Sequence, residues 1–152
     1  MKTILDDGHI WFLDSAVFND QLTLVLVEGK TGKKEPLVVN DKKIADVNQI
    51  DVNEKSWRVE VVFKKIAAWQ IVDESYTHFE KYEIRDDSRE KPAFISILER
   101  SKYLDFVNEN HGWYPVRIGP AKHIRVWAVD WVTDVVTSEL PEIRSLGELF
   151  SE

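Results

Sequence analysis

The sequence predicts an α+β fold: a single domain over residues 1–152, mainly antiparallel β-sheet, with one main α-helix and a short C-terminal helix. Three observations predict it. Short apolar runs recur along the chain with polar residues at every second position, which marks strands with one buried face. Only one stretch combines helical spacing with a residue able to cap its start. The 152 residues fit one domain, which buries about 68–70% of the surface its unfolded chain exposes, and no long linker or low-complexity tract divides them.

The clearest pattern lies between Ser56 and Ser75. Trp57, Val59, Val61 and Phe63 alternate with Arg58, Glu60 and Lys64, and the run Ile66 to Val72 follows after Lys64-Lys65. Its β-branched and aromatic content favours strand, so the stretch is two adjacent strands or one long bent strand at the centre of a sheet. Each buried aromatic removes about 150–250 Å² from water, so Trp57 and Trp69 are assigned to the core.

Upstream, His9–Leu13 and Leu22–Val27 read as strands, with Asn19-Asp20-Gln21 in their connection. Gly29 to Pro36 reads as a turn, because its glycines allow backbone angles that other residues avoid. Leu37-Val38-Val39 is a short strand, Asn40 to Lys43 a second turn, and Ile44 to Val52 a poor edge strand or a loop. Downstream, the charged segment Asp73 to Pro92 carries Tyr76, Phe79 and Tyr82 three residues apart, as on a helical turn, yet Tyr82-Glu83-Ile84 alternates like a strand; both readings stay open. Asp86 to Pro92 is a surface loop and Ala93–Leu98 a strand. The helix is Ser101 to Asn108: Ser101 caps it, Tyr103, Leu104 and Val107 form its apolar stripe, and Gly112 stands where helices commonly end. A loop from His111 to Pro120 leads into strands Ile124–Val129 and Val132–Thr137, joined near Asp130-Trp131. After Pro141, the residues Ile143, Leu146, Leu149 and Phe150 suggest the short tail helix.

Charge and composition narrow the function. The formal net charge is −7, with the acidic residues concentrated from Asp73 to Glu90 and again after Glu139. That balance disfavours nucleic acid and membrane surfaces and favours a basic protein partner. With no Cys there is no disulfide, thiolate zinc site or cysteine nucleophile. The apolar start is too short for a signal peptide and no window approaches a membrane span, so a cytoplasmic protein is expected.

No catalytic signature emerges. Gly29-Lys30-Thr31 lacks the earlier glycine of a phosphate-binding loop, with Leu24 in its place, and Gly32 and Pro36 discourage the helix that must follow. His9, His78, His111 and His123 show no helical metal-site spacing, although folding would be able to gather His111 and His123 with Asp105 or Glu109. There is no Gly-x-Ser-x-Gly elbow. Asp73-Glu74 follows a buried strand and, with His111, marks the alternative reading: a small ligand-binding domain or enzyme with a pocket there. Trp127 and Trp131 beside Arg125 come closest to a stacking groove, and packing explains them better. No cofactor or metal is expected, and the oligomeric state is open; Lys42-Lys43 on an edge would discourage strand pairing between copies.

Three segments, Val61–Tyr76 (VVFKKIAAWQIVDESY), Ser101–Phe106 (SKYLDF) and Lys122–Ile143 (KHIRVWAVDWVTDVVTSELPEI), resemble a group of small bacterial immunity proteins encoded beside large secreted toxins. The resemblance covers less than half the chain and leaves the first third unmatched. It implies a contact-dependent toxin inhibitor, not an enzyme, that neutralises a cognate toxin domain by binding. Many such toxins are basic nucleases, which suits an acidic partner. The surface expected to make the contact is Asp73, Glu74, Glu80, Glu83, Asp86 and Asp87, with Tyr76, Phe79 or Tyr82 as anchors.

Overall fold

The structure, a computed structural model, describes residues 1–8, 10–78, 80–86 and 93–149. Within them the chain forms β1 (Trp11–Asn19), β2 (Gln21–Glu28), β3 (Lys30–Val39), β4 (Lys42–Asp51), β5 (Trp57–Phe63), β6 (Ile66–Asp73), β7 (Ile84–Arg85), β8 (Ile95–Arg100), α1 (Lys102–His111), α2 (Tyr114–Ile118), β9 (Lys122–Trp127), β10 (Trp131–Thr137) and β11 (Glu142–Glu148). Three-residue and four-residue 3-10 turns sit at Glu74–Tyr76 and Ile4–Asp7. The fold is α+β and mainly antiparallel, with one main helix.

Two sheets share one core. The first has the order β1-β2-β5-β11 and the second β6-β10-β9-β8-β7; β3 and β4 pair as a separate two-stranded arm. Leu22, Leu24 and Leu26 of β2 and Val59, Val61 and Phe63 of β5 meet Ile95, Ile124, Val126 and Val135 of the second sheet, closed at one end by Leu5 and Trp11. Trp11 fixes that end by donating its indole N–H to the Leu5 carbonyl at 2.8 Å. Each fully buried aliphatic side chain here contributes about 1.5–3 kcal/mol. The outer face of the second sheet is covered in part by α1, whose Leu104 and Val107 pack on Val136 with Ala67 and Ala68 of β6 beside them.

The chain passes between the sheets at Lys64-Lys65. Lys65 adopts a left-handed backbone with φ 48°, and Thr137 donates its hydroxyl to the Lys64 carbonyl at 2.6 Å. The two central strands are therefore consecutive but belong to different sheets. β5 is interior, between β2 and β11, whereas β6 is an edge.

Several expectations change. The tail is not a helix: Glu142–Glu148 is a strand along β5, with Ile143 opposite Val61 and a register shift near Gly147, whose φ is 80°. An open sheet edge and a left-handed glycine override the helical spacing of Ile143, Leu146 and Leu149; Phe150 lies outside the described residues. The second, short helix lies instead at Tyr114–Ile118, within the expected loop. Lys30 to Pro36 is strand, not turn, with Gly29 joining it to β2; the reversal falls at Asn40-Asp41, both with positive φ. Gly29 serves close approach, since a Cβ there would lie 2.6 Å from Ile50 Cγ2 and 2.8 Å from Phe12 Cε2. Trp57 and Trp69 are 46% and 38% exposed, so the buried tryptophan is Trp11. His9 and the loop residues 87–92 lie outside the described residues.

Candidate functional site

Asp73 ends β6 and accepts a hydrogen bond from the Ser75 N–H at 2.9 Å, which starts the 3-10 turn Glu74–Tyr76. The chain then runs from one edge strand of the second sheet, β6, to the other, β7. Along this path Tyr76 is 81% exposed. Glu80 pairs with Lys102 at 3.0 Å. Tyr82 donates its hydroxyl to Asp105, lies under the Arg100 guanidinium at 4.5 Å, and accepts from Arg100 Nε through its carbonyl. Its phenol is raised above the usual value, first by that hydrogen bond to Asp105. Asp86 accepts from the Ile97 N–H at 2.9 Å and so helps dock the sheet edge. Phe79 and Asp87 lie outside the described residues.

Glu83 departs from this exposed set. Its side chain is only 4% exposed, and Oε1 accepts from Arg125 at 2.8 Å. Glu83 thus closes a buried polar row that crosses the second sheet. Asp134 of β10 sits opposite Arg125 of β9 and Gln70 of β6. Asp134 Oδ1 accepts from Arg125 Nε and from His123 Nε2, both at 2.7 Å, and Oδ2 accepts from Gln70 at 3.0 Å. Burial alone would raise the Asp134 carboxyl, but the hydrogen bonds from His123 and Arg125, with the guanidinium charge, hold it well below the usual carboxylate range. Nearby, burial and then the Asp134 charge push the Tyr103 phenol up to about 12.

The row also fixes the helix. Ser101 Oγ lies 2.6 Å from His123 Nδ1 and accepts from the Leu104 N–H at 3.0 Å. The Nε2 proton of His123 goes to Asp134, and the Ser101 hydroxyl proton to Nδ1, which leaves each of these three side chains with partners. Ser101, His123 and Asp134 resemble a nucleophile–base–acid chain in type only. All three are buried, and Ser101 Oγ is enclosed and already engaged as the helix cap, so no substrate carbonyl has an approach to it.

A cleft of about 340 Å³ opens beside the row, between the Tyr76–Glu83 segment and the start of α1. Glu80, Glu83, Tyr76 and Lys102 line it; Asp73, Glu74 and His111 do not. His111 lies at the far end of α1, edge-on to Phe106, and is not gathered with His123. Among the described residues no group of three or more His, Asp or Glu side chains is placed to hold a metal, and no helix is long and apolar enough to cross a membrane.

No protein-family model, curated protein or solved structure matches this chain. The site rests on its own geometry.

Sequence reasoning passed over the buried row. Its signal was His123 and Arg125 alternating with Ile124 and Val126 in one strand, and Asp134 with Val135 in the next. Read alone, such alternation means a solvated face; here that face is covered.

Proposed function

We propose that this protein is a bacterial immunity protein, which binds a cognate secreted toxin and neutralises it stoichiometrically in the cytoplasm, without making or breaking a covalent bond. The observation that carries the reading is Tyr76: a large aromatic, 81% exposed, on a 3-10 turn anchored by Asp73 and flanked by carboxylates. An aromatic presented on a fixed backbone costs little ordering on binding, and such residues dominate interface energies. The net charge of −7 suits a basic target such as a nuclease, whose encounter rate long-range attraction raises.

The three segments that resemble immunity proteins support the same reading. Gln70, Ser101, His123, Arg125 and Asp134 all fall within them, so the likeness follows the row that supports the surface. Inhibition calls for such a stiff support, and an interface of about 1,600 Å² would extend from Tyr76 over Asp73, Glu74, Glu80 and Asp86.

The test is to look for a secreted-toxin domain encoded beside this gene and to titrate it calorimetrically, with survival of cells expressing both. Tyr76→Ala should weaken binding about 30-fold, the loss expected of a central anchor of about 2 kcal/mol, with unchanged folding. Absence of binding and of protection by the native protein rejects the reading.

A further inference from the structure

The flank of the molecule where β1 and β6 meet is open. Both are edge strands, one of each main sheet, and Phe18 of β1 stacks on Trp69 of β6 with ring centroids 5.9 Å apart. These two rings remain 54% and 38% exposed, and Val17 beside them 58%. Ala16 and Phe18 face the core side of the first sheet, opposite the buried Leu24 and Leu22, while Val17 points to the outer side with Thr23. An edge strand also offers its outward amides and carbonyls to any extended chain.

The other edges of the two main sheets are blunted. β7 is two residues long. β11 carries Glu142, Arg144 and Glu148, and a register shift beside the left-handed Gly147 bends it. β6 has α1 and α2 packed against it. By contrast β1 runs for nine residues, and from Ser15 to Asn19 it has no charge, no proline and no glycine. Its register shift falls before that stretch, between Leu13 and Ser15.

The stretch is complementary to itself. Two copies running antiparallel about Val17 set Val17 against Val17 on the outer side and Ala16 against Phe18 on the core side, small against large. Ser15 then faces Asn19, and the flanking carboxylates Asp14 and Asp20 meet only at the ends. Size agrees as well. The nine residues reach about 30 Å, and two sheets about 10 Å apart, with side chains on their outer faces, make a flank about 25 Å deep. Such a strip covers about 750 Å² per copy, against about 800 Å² per partner in a standard stable interface.

We propose that a second copy of this chain covers this flank, the two β1 strands pairing antiparallel so that the first sheet of each copy continues into the other. Phe18 and Trp69 of both copies then close the seam between the layers. The dimer does not rest on the toxin-binding reading, whose central anchor Tyr76 lies beyond the end of β6. A monomer that binds toxin rejects the dimer alone, and a dimer that binds none rejects only the toxin reading.

The experiment is sedimentation equilibrium of the whole chain at pH 7. The mass should pass from one chain to two with a Kd of about 10 µM, the weak end for interfaces of this size. Raising salt from about 50 to 500 mM should tighten it about threefold, as the flanking carboxylates are screened. Val17→Lys sets two ammonium groups against each other and should weaken association about 30-fold or more, with native near-ultraviolet dichroism kept. Leu146→Lys, on the opposite edge at β11, should leave it unchanged. If Val17→Lys unfolds, Asp14→Asn carries the test and should tighten the dimer about threefold at low salt. A single chain mass up to about fifty times the expected Kd overturns the proposal. So does a dimer that persists in folded Val17→Lys, an unchanged Kd in Asp14→Asn standing in for it, or a loss of association in Leu146→Lys. A chain that stays monomeric but loses toxin affinity through Val17→Lys also overturns it, and assigns the flank to a different protein.

Discussion

Asp134→Asn keeps the volume of the side chain and removes the charge that Arg125 and His123 both address. In the native row this carboxylate accepts three hydrogen bonds, at 2.7, 2.7 and 3.0 Å. An asparagine oxygen still accepts, but its NH₂ must face a donor, and Arg125 is left with Glu83 as its carboxylate partner. Breaking a buried, hydrogen-bonded ion pair costs about 3–5 kcal/mol, and the surviving Glu83 contact places this case near about 3 kcal/mol. Against a total stability of about 5–15 kcal/mol that is a large share. With a urea slope of about 2 kcal/mol per M, the unfolding midpoint should drop by about 1.5 M at pH 7. The difference also has a pH signature. Because the folded carboxyl is held below its ordinary value, its contribution is complete above the unfolded value of about 3.9 and is lost as pH falls toward the folded one. The gap between native and variant should therefore be constant from pH 5 to 7 and close below about pH 4. A midpoint shift under about 0.5 M, or a gap that persists unchanged into acid, would refute the account of the row as a charge-dependent brace.

Two further outcomes follow from the same row. Ser101→Ala removes the cap on the Leu104 N–H and the partner of His123 Nδ1, so urea unfolding should show a loss of about 2–4 kcal/mol, more than a cap alone gives; Ser101→Thr should recover much of it. Tyr103, whose phenol is pushed up to about 12, should ionise late in an ultraviolet titration. A raised folded value keeps its contribution whole below the unfolded value of about 10, so stability should decline as pH rises between about 10 and about 12, and the decline should shrink in Tyr103→Phe.

Much of the fold was legible because its signals are local. Ser101 marks the start of α1 through a bond to Leu104, three residues on, and β9 and β10 announce themselves by alternation and a tight turn. What was not legible depends on distant partners. Alternation from Trp57 to Val72 identifies two strands, but nothing in it says that Lys64-Lys65 carries the chain from one sheet to the other. Spacing makes Ile143, Leu146 and Leu149 a helix face; pairing with β5 draws Ile143 and Leu146 into a strand, a decision taken about eighty residues away in sequence. Gly29 speaks for a turn until Ile50 and Phe12 are seen to press on it. The acidic surface was visible as charge density, but the burial of Glu83 beneath it was not, because its partner Arg125 stands on a strand forty-two residues later.

The pairing of β11 with β5 has a consequence for the nascent chain. The first sheet acquires its fourth strand only when residues 142–148 have left the ribosome, long after β1, β2 and β5 are synthesised. Until then β5, with Val59, Val61, Val62 and Phe63 destined for the interior, presents a free row of amides and carbonyls to any other extended polypeptide nearby. Emergence of β11 and protection from aggregation are, for this sheet, the same event.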